Sequence, residues 1–209
     1  ELGWKCIRSM ASKMAKTKKV YVAMGVDIIH HGHIKIIEVA RGLGEVTVGL
    51  LTDSALVNYK RVPILSYDQR KKIIENIKGV SHVIPQRTHD YTQNLMKLKP
   101  DYVVHGDDWK TGVQRPIREK VVRTLKKWNG KLIEPSYTEG VSSSQLIGEL
   151  FEIGTTPEAR LKKLRKLLDL KPLVRLMEVH HGLTGRIAEK TKVVVGNAIR
   201  EFDGMWESS

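Results

Sequence analysis

The sequence predicts an α/β fold in which a parallel five-stranded sheet carries helices on both faces. Short apolar runs, such as 20–26 and 45–51, alternate with stretches such as 34–40, whose apolar residues recur at helical spacing. Strands that alternate with helices in this way form parallel sheets, whose ligand residues gather at the carboxyl ends of the strands. Polar clusters follow several predicted strands, so we expect a ligand site at that edge of the sheet.

Capping and helix-breaking residues mark the ends of several predicted helices. Gly44 ends the first as a C-cap would, and Ser66 with Gln69 forms a capping box before the second. Pro100 closes the third, and Asn129 with Gly130 ends the fourth. The strands are expected at 19–23, 45–51, 82–85, 101–105 and 131–134. The helices are expected at 31–43, 67–78, 92–98 and 113–128, and from Ser144 to about Phe151.

The character of the chain changes after Gly154. A charged amphipathic helix at 157–168 is broken by Lys171-Pro172, and strand-like residues follow at 173–179. A turn at 180–185, a helix at 186–191 and a strand at 202–206 are expected beyond it. We predict four segments: an irregular basic start at 1–17, the main domain at 18–152, a linker helix at 153–171, and the incomplete start of a second α/β domain at 172–209.

Composition limits the partners and the compartment. Among 209 residues, 36 are Lys or Arg and 23 are Asp or Glu, which gives a net charge of +13 and favours polyanionic ligands, either nucleic acid or small phosphorylated molecules. The single Cys6 excludes a disulfide framework and a cysteine-based zinc site, and is typical of a reducing compartment. No apolar run has the length of a membrane helix or a signal peptide, so we expect a soluble cytoplasmic protein without a membrane partner.

The segment His30-His31-Gly32-His33 lies where the first strand gives way to a helix N-terminus. Backbone N–H groups and the positive end of the helix dipole favour an anion there, and two imidazoles suggest a phosphate whose charge changes during a reaction. A helix start with polar caps and a metal site are the alternatives. Asp27 could orient one imidazole or cap the turn.

Three other polar groups follow predicted strands. Lys60 and Arg61 lie on a loop, either as solvated surface or as cations for phosphate oxygens. Gly106-Asp107-Asp108-Trp109 could bind Mg²⁺ or sugar and base groups, or form a turn and a cap. Ser142-Ser143-Ser144 could hold phosphate oxygens, although one hydroxyl is needed as a helix cap. Cations on the next helix are expected on a solvated face, with the last able to reach inward: Arg70, Lys71, Lys72 and Lys78.

Residues from about 18 to 150 resemble the cytidylyltransferase family, nearest to the glycerol-3-phosphate type. Five motifs in one order carry the resemblance: Asp27 with the HxGH group, Thr52-Asp53, Ser66-Tyr67 with Arg70-Lys71, Gly106–Trp109, and Thr138-Glu139-Gly140 with the three serines. The resemblance implies a Rossmann-like fold, CTP as substrate and Mg²⁺ held mainly by phosphates. It implies catalytic roles for His30, His33, Lys60 and Arg61. It implies nucleotide binding by Met24, Gly25, Asp27, Gly32, Lys78, Gly106, Asp108, Thr138, Glu139, Gly140, Ser142, Ser143 and Ser144.

The chain departs from the family pattern at two places. Tyr137 stands where the family usually has Arg, which removes a phosphate or ribose contact. Met24-Gly25 stands where the family usually has Gly-Thr. A chain that binds CTP without turnover is therefore an alternative, with Tyr137 as its cause.

The tail is similar to the start of phosphoenolpyruvate mutase, a TIM barrel that makes carbon–phosphorus bonds. The similarity covers 173–185 and 202–206. It implies that the intact protein is a fusion with a mutase domain that is missing here, and that the acceptor is a phosphonate such as 2-hydroxyethylphosphonate. Relatives with this fold imply a homodimer.

We therefore predict transfer of CMP from CTP to a phosphonate, with release of pyrophosphate. A transferase acting on glycerol 3-phosphate or another phosphomonoester is the alternative within the same family. A basic nucleic-acid-binding module is the alternative from another class, although the two Phe residues and low aromatic content argue against base stacking. We expect no nucleic-acid partner.

Overall fold

The computed structural model describes residues 17–59, 62–136, 157–196 and 198–208. Five parallel strands form one sheet in the order β3-β2-β1-β4-β5. The strands are β1 (Lys19–Met24), β2 (Glu45–Leu51), β3 (Val80–Gln86), β4 (Tyr102–Val104) and β5 (Lys131–Ile133). The helices are α1 (His31–Leu43), α2 (Asp53–Tyr59), α3 (Tyr67–Glu75), α4 (Thr92–Leu98) and α5 (Arg115–Leu125). This arrangement confirms the predicted parallel α/β fold.

Helices cover both faces of the sheet because alternate residues of each strand point to opposite sides. On one face Val20, Val22 and Val48 pack with Ile37 of α1 and Ile74 of α3. On the other face, buried residues of β1 and β4 pack with apolar residues of α4 and α5. The core residues on both faces are nearly inaccessible to solvent, so the central strands β1 and β2 are buried on two sides, as is typical of parallel sheets.

Some element boundaries differ from the predictions. The third strand runs over Val80–Gln86, longer than the predicted 82–85, because it pairs with β2 along that length. The helix predicted at 67–78 ends at Glu75, where the N–H of Asn76 turns back to Ile73 and Ile74. The helix predicted at 113–128 is α5 flanked by two short 3₁₀ turns. The helix expected from Ser144, like residues 1–16, lies outside the described residues.

A buried polar cluster joins the sheet to α4. The Tyr21 hydroxyl donates to Gln86 Oε1, and Asn94 Nδ2 donates to the same oxygen at 2.7 Å. Burial raises the pKa of Tyr21 well above its usual value. On β2, a Cβ at Gly49 would lie 1.8 Å from the Tyr21 hydroxyl, so the tyrosine occupies the space that any larger residue would need.

The Arg70 side chain is completely buried. Its Nη1 donates to the carbonyls of Gly25 at 2.6 Å and Leu51 at 2.8 Å, and its Nε donates to the carbonyl of Leu65 at 3.3 Å. Its Nη2 contacts Asp53 Oδ1 at 2.6 Å. The prediction that Arg70 lies on a solvated face is therefore wrong, because the guanidinium lies where β1 and β2 end.

A second polar group is packed beyond the end of β4. Trp109 is fully buried, and its Nε1 donates to Glu134 Oε1 at 2.7 Å. Arg118 donates to both oxygens of Glu134, at 2.7 and 2.8 Å, and these bonds hold the pKa of that carboxyl below its usual value. The His105 ring stacks on Trp109 with centroids 3.8 Å apart, and burial lowers the pKa of His105.

The tail forms two small sheets. Its elements are α6 (Pro157–Leu170), β6 (Leu176–Val179), α7 (Gly182–Lys190), β7 (Lys192–Val195), β8 (Ala198–Glu201) and β9 (Gly204–Glu207). The strands β6 and β9 pair in parallel, and β7 and β8 form an antiparallel pair. The turn predicted at 180–185 is wrong, because His181 and Thr184 cap a helix that begins at Gly182. The predicted segment boundaries of the chain remain a prediction.

Large apolar side chains of the tail are exposed, among them Leu176, Leu183 and Trp206. Parallel strands are normally covered on both faces, whereas β6 and β9 leave apolar residues open to solvent.

Within the described part of the chain, no helix combines the length and the apolar character that crossing a membrane requires.

Replacement of Arg70 by Leu is expected to lower the free energy of unfolding by about 3–5 kcal/mol, because Asp53 and three carbonyls lose a buried charged donor. Urea unfolding followed by circular dichroism measures the loss. The matched control is Lys72→Leu on the exposed side of α3, expected to stay within about 0.5 kcal/mol of the wild type. A loss below about 1 kcal/mol for Arg70→Leu would contradict this role.

Acid should destabilise the fold through His105. Because burial lowers its pKa in the folded state, the unfolded chain takes up a proton first, as pH falls below about 6.5. The stability that neutral His105 contributes is therefore complete above this pH and is lost below it. We expect His105→Gln to flatten the dependence of the unfolding free energy on pH between about 7 and 5. Urea unfolding at several pH values across this range measures the change.

Candidate functional site

The loop between β1 and α1 begins with a strained residue. Val26 has φ +51°, in the left-handed region that β-branched residues avoid, at a cost of about 1–3 kcal/mol. Its side chain is 5% exposed and packs in the core with Met24 and Ile37, which offsets that cost. The chain is thereby turned out of the sheet directly before Asp27 and the histidines.

His30 and His33 are held by the backbone at the start of α1. His30 is the N-cap, and its Nδ1 accepts from the N–H of Gly32 at 3.2 Å. The N–H of His30 in turn donates to His33 Nδ1 at 3.3 Å. The two ring centroids lie 3.9 Å apart. Because each Nδ1 accepts a hydrogen bond, each neutral ring carries its proton on Nε2, which makes Nε2 the donor to a ligand.

The charge state of His30 agrees with these hydrogen bonds. Burial lowers the pKa of His30, and the neighbouring His31 lowers it further. His30 therefore stays neutral near pH 7, with Nδ1 able to accept and Nε2 able to donate. The side chain of His31, between the two, is exposed to solvent.

The N-terminus of α1 favours a negatively charged ligand. The helix is 13 residues long and has no acidic residue in its first turn. The positive end of its dipole adds to the Nε2 donors of the two imidazoles. Together these donors match the oxygens of a phosphate better than any neutral ligand.

Asp27 organises a neighbouring loop. Its Oδ1 accepts from the N–H groups of Ile64 at 2.8 Å and Leu65 at 3.0 Å. The side chain is buried, and within the described chain its Oδ2 has no hydrogen-bond partner. In the described residues Asp27 thus neither orients an imidazole nor caps the turn. It holds Ile64 and Leu65, which belong to residues 62–65, and we call these four residues the 62–65 loop.

The end of β4 lies beside the end of β1, because these two strands are neighbours in the sheet. Gly106 starts a 3₁₀ turn there, and the N–H of Asp107 donates to the carbonyl of Pro135 at 3.2 Å. The Asp108 carboxylate is exposed and lies 3.7 Å from His105 Nδ1. The structure therefore brings Gly106 and Asp108 to the same edge of the sheet as the histidines.

Lys35 was missed by the sequence analysis. From the second turn of α1, its Nζ donates to the carbonyl of Ser136 at 3.1 Å and lies 3.4 Å from the Ser136 hydroxyl. Ser136 follows β5, so this contact ties the histidine helix to the segment that leads into residues 138–144. Only the placement of Lys35 two residues after His33 could have indicated it.

The other predicted site residues fall into three groups. Met24, Gly25 and Gly32 lie at the edge with the histidines, although the Met24 side chain packs in the core. Lys78 lies two residues before β3, at the opposite edge, because the chain returns along α3 to the edge where the parallel strand β3 begins; its predicted place in the nucleotide site is wrong. The remaining predicted residues lie outside the described residues: Lys60, Arg61, Thr138, Glu139, Gly140, Ser142, Ser143 and Ser144.

Comparison with known proteins places these features in a family. A family profile described as Cytidylyltransferase-like matches residues 25–149. Ethanolamine-phosphate cytidylyltransferase of Mus musculus is 32% identical over 127 residues, which cover 59% of this chain and 30% of that protein. Glycerol-3-phosphate cytidylyltransferase of Bacillus spizizenii is 38% identical over 95 residues, which cover 44% of this chain and 74% of that protein.

The matched regions differ in extent between relatives. The chain spans about a third of the length of the ethanolamine-phosphate cytidylyltransferases that it matches. Among solved structures, a lipopolysaccharide core biosynthesis protein from Thermoplasma volcanium superposes with a TM-score of 0.52 and 24% identity, covering 59% of this chain and 100% of that one. That likeness supports the fold alone. The family profile covers more than half of the chain, including the histidine loop, and the chain belongs to the cytidylyltransferase-like family.

Proposed function

We propose that this protein transfers CMP from CTP to a phosphorylated small molecule and releases pyrophosphate. The observation that carries the proposal is the pair His30 and His33, whose Nδ1 atoms are occupied by backbone N–H groups at the start of α1. Such fixed donors match a phosphate group that gains charge during a reaction. Membership of the family supports a nucleotide as the donor of that phosphate.

The proposed reaction is a direct displacement. An oxygen of the acceptor's phosphate or phosphonate forms a bond to the α-phosphorus of CTP, while the bond from that phosphorus to the bridging oxygen breaks. Pyrophosphate leaves with the bonding electron pair, and no covalent enzyme intermediate is needed. Nε2 of His30 and of His33 would donate to the α-phosphate and the bridging oxygen, where negative charge develops.

The helix N-terminus and the loop contribute position as well as charge. The dipole of α1 and the two Nε2 donors would orient the phosphates for in-line attack, and fixed geometry is a large part of phosphoryl-transfer catalysis. Lys60 or Arg61 would hold the triphosphate or the acceptor. Asp108 would accept a hydrogen bond from cytidine, and the stretch from Gly140 to Ser144 would surround the nucleotide.

Mg²⁺ is part of the proposal as an ion that arrives with CTP. It prefers oxygen ligands and commonly uses substrate phosphates, whose charge it neutralises. Among the described residues, no group of three or more His, Cys, Asp or Glu side chains is placed to bind a metal ion. We therefore assign most of its ligands to the phosphates, and the roles given above to the protein's side chains do not depend on it.

The names of the curated relatives favour a phosphomonoester as acceptor. Those relatives are named for ethanolamine phosphate and glycerol 3-phosphate. A phosphomonoester presents the same attacking oxygen as a phosphonate, so the described geometry is compatible with both. We take the phosphomonoester as the first candidate.

A phosphonate acceptor is the second candidate, favoured by the similarity of 173–185 and 202–206 to phosphoenolpyruvate mutase. In that case the chain would be part of a fusion with a mutase domain that makes the phosphonate.

A homodimer is also proposed, because the resemblance to relatives with the cytidylyltransferase fold implies one. Light scattering of the purified protein tests it.

The acceptor can be identified by pyrophosphate release from CTP. We expect release with glycerol 3-phosphate or ethanolamine phosphate if a phosphomonoester is the acceptor, and with 2-hydroxyethylphosphonate if the phosphonate proposal is correct. ATP in place of CTP is the control and should support little release. If no acceptor gives release but CTP binds with micromolar affinity, the chain has lost turnover and Tyr137 is the residue to restore to Arg.

His30 and His33 should each be required for full turnover. His30→Ala and His33→Ala are each expected to lower kcat by about 10²–10³, because each removes a donor to developing charge. Steady-state assays of folded protein measure this loss, with His31→Ala, an exposed neighbour, as the matched control. A variant of His30 or His33 that keeps more than about a tenth of the wild-type rate would remove that residue from the mechanism.

A further inference from the structure

A lysine from outside the family-matched region contacts the 62–65 loop. Lys166 lies on α6, beyond the matched residues 25–149, and its Nζ donates to the carbonyls of Pro63 at 2.5 Å and Ile64 at 3.3 Å. The next residue, Leu167, is buried, and α6 lies against α2. The helix is therefore docked by an apolar residue, while the ammonium of Lys166 is directed at backbone oxygens.

The same loop is also held by two buried charged side chains. Asp27 accepts from the N–H groups of Ile64 and Leu65, and Arg70 donates to the carbonyl of Leu65. Backbone groups of three consecutive residues, 63–65, are thus bound by ionised side chains. Hydrogen bonds to charged groups are stronger than those between neutral groups, so the loop conformation is firmly specified.

Lys166 completes this arrangement. Asp27 and Arg70 belong to the matched domain, but neither donates to the carbonyls of Pro63 or Ile64. A Lys side chain has three donors and a flexible stem, which lets one ammonium bind two neighbouring carbonyls. The ammonium also adds positive charge next to a loop that follows Lys60 and Arg61 directly in the sequence.

We propose that Lys166 is a positioning residue, which holds the 62–65 loop at the edge of the sheet where the histidine loop begins. This rests on the proposed function, in which the nucleotide binds at that edge. Through Lys166, the linker helix α6 controls how well the nucleotide site is assembled.

Three variants of the 209-residue chain test the proposal. Lys166→Met removes the ammonium but keeps an apolar stem of similar length. Lys166→Arg keeps a cation whose N–H groups can donate to both carbonyls. Lys162→Met is the matched control, because Lys162 is exposed on the same helix. The readouts are amide hydrogen exchange at Ile64 and Leu65, the affinity for CTP by calorimetry, and steady-state kinetics with the reactive acceptor.

We expect Lys166→Met to speed exchange at Ile64 and Leu65 about tenfold, because the loop opens more often once one of its anchors is lost. A loop that opens more often at this edge of the sheet should weaken CTP binding and lower kcat/KM roughly tenfold. Lys166→Arg keeps the positive charge and several N–H donors, so all three readouts should stay within about twofold of the wild type. Lys162→Met should change none of them.

Several results would overturn the proposal. Unchanged exchange in Lys166→Met would show that the contact does not hold the loop. Faster exchange with unchanged CTP affinity and kinetics would leave a structural contact without a positioning role. Equal losses in Lys162→Met would assign the effect to general surface charge. Because exchange and CTP affinity need no turnover, the absence of a reactive acceptor counts against the proposed function and not against this anchor.

Discussion

The buried guanidinium of Arg70 is the interaction on which the edge of the sheet depends. Where parallel strands end, their last carbonyls leave the hydrogen-bond ladder and need other donors. Arg70 supplies donors to Gly25, Leu51 and Leu65, and its charge is balanced by Asp53. One side chain therefore joins the ends of two strands to a loop, and the histidine loop starts from a fixed point.

The chemistry of the site follows from backbone hydrogen bonds. The helix cap at His30 and the return bond to His33 Nδ1 choose the tautomer of both rings before any ligand is present. A donor whose orientation is set in advance needs no rearrangement as charge develops on a phosphate, and this is the condition for electrostatic catalysis. The strain at Val26 is compatible with such a site because the surrounding core holds the backbone in place.

Local patterns in the sequence were sufficient for the sheet, for the capping box at Ser66 and for the place of the histidines. They were insufficient where tertiary contacts decide. Arg70 looks like a surface residue in the helix pattern, and its burial depends on Gly25 and Leu51, which lie far away in sequence. Lys78 was predicted to reach inward from the end of its helix, but the crossover to the parallel strand β3 places that end at the opposite edge of the sheet. The positive φ of Val26 contradicts its own local preference and could not be inferred.

The position of β1 has a mechanical consequence. In the sheet of the described residues β1 pairs with β2 on one side and β4 on the other, so it is the seam between a half with β2 and β3 and a half with β4 and β5. The histidine loop leaves from the end of that seam. A nucleotide held between this loop, the 62–65 loop and the turn after β4 would contact both halves. Its binding would therefore stabilise the sheet at β1, the strand through which the two halves are joined.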